Sequence, residues 1–213
     1  MTETHFAELN SAICDQVAAR VSVLIENPRQ SVAHRMDHLR RVARNAHKIL
    51  ASYPDADAEI LFLAVLLHDV EQPFDDKKNH VRRSASVAQG LLKEFRYSPE
   101  RTSRVLQVIC EHSTEEVDRN PPTSIEARIL FDADKLDGLG AHGILRVFAL
   151  SQQMGRSARD TVDWYRGKIA VAERNIQTQE GRALMAARRP LVDAFLAEIE
   201  ADLNSSGPAC SRT

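Results

Sequence analysis

The sequence predicts an all-α fold, a compact bundle of many helices. Three observations carry that prediction. Apolar residues recur at helical spacing in one segment after another, the segments close on proline, glycine or polar clusters, and no stretch alternates apolar and polar residues as a half-buried strand does. With 213 residues and 43% apolar content, the chain suits a single domain over residues 1–203. Its core runs from about residue 32, and a tail over 204–213, rich in small polar residues, is expected to be flexible.

The first helix is expected from Phe6 to Glu26, with Phe6, Leu9, Ile13, Val17, Val21 and Leu24 on one face. It stops at Asn27-Pro28, because proline cannot continue a helix. A second starts at Met36 and carries the stripe Leu39, Val42, Ala43, Ala46, Ile49 and Leu50 up to Tyr53-Pro54, with His38 near its start. Asp57 is a natural cap for a third, which is apolar nearly all round through Leu67 and therefore buried on every side. Pro73 and the charges around it make 71–79 a loop. Helices follow from about His80 to Phe95 and from Pro99 to His112, then a polar loop to Pro122. Thr123 and Glu126 have capping-box spacing ahead of a sixth helix that ends in Asp132-Ala133-Asp134. Three more cover roughly Gly140 to Met154, Asp160 to Asn175 and Gly181 to Leu203, the last expected to kink at Pro190.

Composition narrows the function. No N-terminal segment resembles a signal peptide, and the longest apolar run, Ile60 to Leu67, is far below the roughly 18 residues a bilayer requires, so no membrane role is expected. Cys14, Cys110 and Cys210 show no CxxC spacing. They indicate neither a disulfide framework nor a thiolate zinc site, and a reducing cytoplasm fits. A formal net charge of -2 lacks the positive field that nucleic acid would need, whereas a small anion needs only a few local cations.

The most informative point is His68-Asp69 at the end of the apolar third helix, where a buried imidazole and carboxylate require partners or a metal. His38 on the preceding helix and Asp134 at the end of a later one complete a set of two imidazoles and two carboxylates. Such mixed N/O ligands suit Mn²⁺, Fe²⁺, Mg²⁺, Ni²⁺ or Zn²⁺ and leave positions open for water and substrate. Asp132 is the alternative fourth ligand.

The order His38, His68-Asp69, Asp134 resembles the H…HD…D signature of the HD-domain metal-dependent phosphohydrolase superfamily. The segments His38-Leu-Arg-Arg-Val42, Leu66-Leu67-His68-Asp69, Ile109-Cys-Glu-His112-Ser113 and Asp132-Ala-Asp-Lys-Leu-Asp137-Gly-Leu-Gly140 are similar to those of bacterial HD hydrolases of the nucleotide type. The resemblance runs from about Val32 to Leu203. It implies an HD-type helical bundle that cleaves a phosphate ester or anhydride of a small molecule, a nucleotide above all, by attack of metal-activated water. His38, His68, Asp69 and Asp134 would be the metal ligands, with Asp134 preferred because the family ligand directly precedes a basic residue and a leucine. Asp69, Glu71 and His112 would be catalytic, and Lys77, Arg82, Arg83 and Asp137 would bind substrate. His80 and His112 are candidates for a second metal. The sequence departs from the pattern after His68-Asp69, where Val70-Glu71-Gln72-Pro73-Phe74 delays the expected acidic-Lys pair until Asp75-Asp76-Lys77. The alternatives are an HD-fold di-iron oxygenase and a non-catalytic nucleotide-binding module.

Two motifs mislead. Gly138-Leu-Gly140-Ala-His-Gly143 matches the dinucleotide fingerprint, but no strand precedes it, so the glycines are expected to serve a tight turn and close helix packing. His34 and His38 have zinc-peptidase spacing, yet Arg35 stands where the general-base Glu belongs.

Overall fold

The apolar segment Ala58–Leu67 forms a central helix because no face of it is polar enough to meet water. A computed structural model describes residues 11–73, 79–115 and 117–205, which hold nine helices. They are α1 (Ala12–Leu24), α2 (Met36–Leu50), α3 (Ala58–Leu67), α4 (His80–Glu94), α5 (Pro99–Cys110), α6 (Ile125–Asp137), α7 (Gly140–Gln153), α8 (Ala158–Asn175) and α9 (Gln179–Ser205). Among the described residues the β-type pairing is an isolated antiparallel bridge between Gln30 and Pro73. The fold is all-α.

In α3 every residue from Ile60 to Leu67 is buried, and the Asp57 carboxylate caps the helix by accepting from the Ile60 N–H at 3.2 Å. Each fully buried aliphatic side chain contributes about 1.5–3 kcal/mol, so this segment anchors the core. Around it pack α1, α2, α4, α5 and α6, while α7 and α9 close over α6 and α8 packs against those two. The α2 stripe read from the sequence faces inward, with Leu39, Val42, Ala43, Ala46 and Ile49 buried. Among the described residues no helix is long and apolar enough to cross a membrane.

Several boundaries differ from expectation for definite reasons. The part of the first helix expected before Ser11 lies outside the described residues. The cap of α6 is Ser124 rather than Thr123. Ser124 Oγ accepts from the Ala127 N–H at 3.1 Å, whereas Thr123 is held by the buried Glu111 carboxylate, which accepts from its N–H at 2.8 Å and from its hydroxyl at 2.8 and 3.0 Å. Glu126 does not turn back to the cap; it accepts from the Asp57 N–H at 2.8 Å and ties the starts of α3 and α6 together. Helix α9 runs through Pro190 to Ser205, so residues 204 and 205 of the expected tail are helical and the rest of that tail lies outside the described residues.

The glycine-rich turn between α6 and α7 is a packing device. Gly140 has a φ of 73°, which a side chain would strain, and a Cβ on Gly143 would meet the Gly138 carbonyl carbon at 2.3 Å. Glycine at 143 therefore lets the start of α7 sit directly on the end of α6.

Candidate metal centre

Three helix C-termini converge beneath one cavity. The α3 helix ends at Leu67, so His68 is its C-cap and Asp69 follows immediately. His112 lies just beyond the end of α5, and Asp134 is in the last turn of α6. The partial negative charge at each of these helix ends favours a cation among them. His38 enters from the first turn of α2, and His80 is the first residue of α4.

His38, His68, Asp69 and Asp134 each point one ligand atom into a common space, all within 4.8 Å of one another. His38 Nε2 lies 3.3 Å from His68 Nε2, 3.6 Å from Asp69 Oδ2 and 3.6 Å from Asp134 Oδ1. His68 Nε2 is 3.4 Å from Asp69 Oδ2 and 4.0 Å from Asp134 Oδ1. Ligands about 2.1 Å from one ion at tetrahedral or octahedral angles stand roughly 3.0–3.4 Å apart, so the group fits a divalent cation with little adjustment. His68 Nδ1–H donates to the Val65 carbonyl at 2.9 Å, and His38 Nδ1 faces Asp137 Oδ2 at 2.8 Å. In the neutral imidazoles both Nε2 atoms are then lone pairs that face each other, an arrangement that a cation between them resolves.

The electrostatics follow from burial and pairing. Burial pushes the His68 imidazole down to about 4 against the pull of Asp69, which keeps it neutral. His38 is pulled both ways. Burial and Arg146 lower its pKa, hydrogen bonds with Asp137 and Asp69 raise it, and the net direction is upward. Burial would raise the pKa of Asp69, but the His68, His112, His38 and His34 imidazoles packed around it hold it well below the usual carboxylate range. For Asp134, Lys135 and the two histidines outweigh burial in the same sense. The Gln72 amide, oriented with its nitrogen toward Asp69, donates to that carboxylate at 2.7 and 2.8 Å.

A second group adjoins the first through Asp69, whose Oδ1 is 3.5 Å from His112 Nε2 and 3.9 Å from His80 Nε2. His112 Nδ1–H donates to the Ile109 carbonyl at 2.5 Å, which aims its Nε2 at the carboxylate.

The remaining sequence-predicted residues are placed differently. Asp132, the alternative ligand, is turned away from the centre. It accepts from the N–H groups of Gln177 and Thr178 at 2.8 and 2.7 Å and from the Thr178 hydroxyl at 2.6 Å, fastening the start of α9. Asp137 does not face the cavity as a substrate ligand would. It is buried behind His38 and also accepts from Arg41 at 2.6 and 3.2 Å and from Arg146 at 2.9 Å; burial would raise its pKa, but His38 first, then Arg146 and Arg41, hold it at about 2. Glu71, Arg82 and Arg83 are not part of the cavity lining, since α4 turns His80 toward the cavity and leaves Arg82 exposed. Lys77 lies outside the described residues.

The cavity over the centre, about 160 Å³, is lined instead by Lys135, Arg146 and Lys168, by His34 and Gln72, and by an apolar wall that includes Trp164. Sequence reasoning missed these residues. Gln72 and Lys135 adjoin the motifs and could have been suspected, whereas nothing in the order of residues marks Arg146, Trp164 or Lys168.

The family model described as HD domain matches residues 35–139, the segment that carries all four residues of the first group and both histidines of the second. YpgQ of Bacillus subtilis (strain 168) is 29% identical over 181 residues, 82% of this chain and 86% of YpgQ. The crystal structure of YpgQ in complex with ADP matches with a TM-score of 0.69 at 26% identity, covering 89% of this chain and 94% of that one. A Lactobacillus plantarum protein has a TM-score of 0.76 at 19% identity, over 92% of this chain and 99% of its own, a likeness of fold. A protein described as a predicted HD superfamily hydrolase, from an uncultured Thermotogales bacterium, has a TM-score of 0.58 at 25% identity, over 90% of this chain and 91% of its own.

Proposed function

The chain is an HD-domain protein with the fold of HD-superfamily hydrolases, and on that premise we propose that it is a metal-dependent phosphohydrolase acting on a small phosphorylated molecule, a nucleotide in the first instance. The observation that carries the reading is the convergence of four acceptors, two Nε2 atoms and two carboxylate oxygens, at the floor of a cavity that also presents Lys135, Arg146 and Lys168. Acceptors packed against one another call for a cation, and the cations beside them suit an anionic substrate.

His38, His68, Asp69 and Asp134 would hold the ion. A divalent ion held there would supply Lewis-acid chemistry, making a water more acidic and polarising a phosphoryl oxygen, which phosphate hydrolysis needs. The water oxygen would bond to phosphorus and give up a proton to solvent, the bond to the leaving oxygen would break, and that oxygen would gain a proton. His112, when protonated, donates from Nε2, and Asp69 at 3.5 Å keeps that imidazole turned toward the site. Lys135, bonded to Asp134 Oδ2 at 2.6 Å, lies close enough to the ligand set to meet phosphate charge. The binding of ADP by YpgQ supports a nucleotide as the substrate class.

The test is a phosphate and pyrophosphate release assay over nucleoside mono-, di- and triphosphates with metal-stripped protein, restoring Mn²⁺, Mg²⁺, Ni²⁺, Zn²⁺ or anaerobic Fe²⁺ in turn. Metal-dependent release that vanishes in Asp69→Ala is expected, and silence with every metal despite stoichiometric binding overturns the reading. A di-iron oxygenase draws on the adjoining Asp69, His80 and His112 group. It calls for two irons per chain and consumption of oxygen, which an oxygen electrode measures on the same protein.

A further inference from the structure

The cavity has two kinds of wall, and they come from different parts of the chain. Its polar residues Asp69, His80, His112 and Asp134 lie inside the segment matched by the HD-domain family. Apart from Ala33 and Leu139, its apolar residues lie beyond that segment, on α7 and α8. Tyr165, Ile169 and Ala172 fall at i, i+4 and i+7 on one face of α8, and Val147 and Leu150 fall at i and i+3 on α7. These five are buried within the fold yet front the cavity, and the Tyr165 hydroxyl is already engaged, donating to the Gly138 carbonyl at 2.7 Å. Trp164 and Lys168, one turn apart on α8, extend the wall, with the Lys168 ammonium 5.8 Å from the indole centroid.

We infer that the α7–α8 wall is the subsite for the nucleobase of a nucleoside polyphosphate, whose phosphates lie toward Lys135 and the ligand cluster. The inference rests on the phosphohydrolase reading and adds to it the part of the protein that selects the substrate. A phosphate by itself is met by the cations and the ion and gains nothing from an apolar wall. A substrate that carries a flat, apolar-faced ring covers that wall, and it stacks where aromatic side chains are present. The rim offers Thr114 and Glu115, which can bond the polar edge of a base.

Trp164 is the only tryptophan in the sequence, so its fluorescence reports on occupancy of this wall. The full-length protein is titrated in Mg²⁺ with α,β-methylene-ADP and with methylenediphosphonate, two non-hydrolysable ligands that share the bridged phosphorus pair and differ by the nucleoside. We expect the nucleotide to quench or shift the emission and to bind about tenfold tighter or more, the order that stacking one base supplies. Val147→Phe, which fills the wall, should reduce the nucleotide's advantage to about twofold and leave methylenediphosphonate binding unchanged, an outcome that misfolding cannot imitate. Should Val147→Phe fail to fold, Trp164→Leu measured by calorimetry replaces it, with the same selective loss expected. Equal affinity for the two ligands, or a variant that weakens both alike, overturns the subsite. If metal-dependent phosphate release persists in that case, the hydrolase reading stands without it. If no phosphate is released from any compound while the binding contrast holds, the hydrolase reading falls and the subsite remains.

Discussion

Two polar clusters in this molecule are built on opposite principles. One joins the starts of α3, α5 and α6. Arg101 donates to Tyr97 at 2.8 Å, to Asp57 at 3.0 Å and to Glu59 at 3.1 Å, Tyr97 donates to Glu59 at 2.7 Å, and Arg104 reaches Asp57 at 3.2 Å. Every carboxylate there has donors, and the cluster is complete as it stands. The other lies at the far ends of α3 and α6, where His38, His68, Asp69 and Asp134 direct lone pairs at one another. The first cluster therefore staples the helices, while the second encloses a space that a divalent cation would fit. The same central helix carries both, Asp57 at its start and His68 at its end.

The sharpest way to break the comparison is Asp69→Ala. Metal binding, read by calorimetry, and activity should both disappear, while the helical circular-dichroism signal is retained; stoichiometric metal in the variant would overturn the ligand assignment. Adding metal to the parent comes next. At 100 times its Kd the ion should stabilise the fold by about 2.7 kcal/mol, visible as a higher Tm that chelator reverses, and the Asp69→Ala protein should show no such rise. Asp137→Asn should lower metal affinity about 10- to 100-fold in calorimetry without abolishing it, because Asp137 orients His38 from behind and does not touch the ion. An unchanged Kd would mean that His38 needs no such support.

The complete cluster should respond in the reverse way. Arg101→Ala should cost about 1 kcal/mol by denaturant titration, as partly exposed ion-pair networks do, and leave metal affinity unchanged. Its pH dependence has a definite sign. Burial would raise the pKa values of Asp57 and Glu59, but the Arg101, Tyr97 and Ser11 contacts outweigh it and both are lowered in the folded state from 3.8 and 4.5. The stability they contribute is present above those unfolded values and is lost as pH falls through the lower folded ones. Parent and Arg101→Ala should thus differ at pH 6 and converge below pH 3.8. The smallest effect is expected from His142→Ala. That side chain is exposed in the first turn of α7, so neither metal affinity nor Tm should move.

The all-helical class, the buried character of α3 and its Asp57 cap were legible because each depends on neighbours within a turn or two along the chain. The two histidines and two aspartates of the first group were legible as residue types in an order. Their neighbours were not. Asp132 and Asp134 differ by two positions, about 200° around a helix, so only the packing of α6 decides that one fastens α9 and the other faces His38. Thr123 looked like a cap until the buried Glu111 was seen to claim it.

What the sequence determined by itself is therefore local: the helices, their ends, and a set of side chains able to hold a divalent ion. The tertiary structure decided which groups meet. It set Asp137 behind His38 instead of against a substrate, and it brought Arg146 of α7 and Trp164 and Lys168 of α8 to the rim of a site formed by α2 through α6. Contacts of that kind join residues far apart in the chain, and they exist only once the core around α3 has fixed the directions of the helices that carry them.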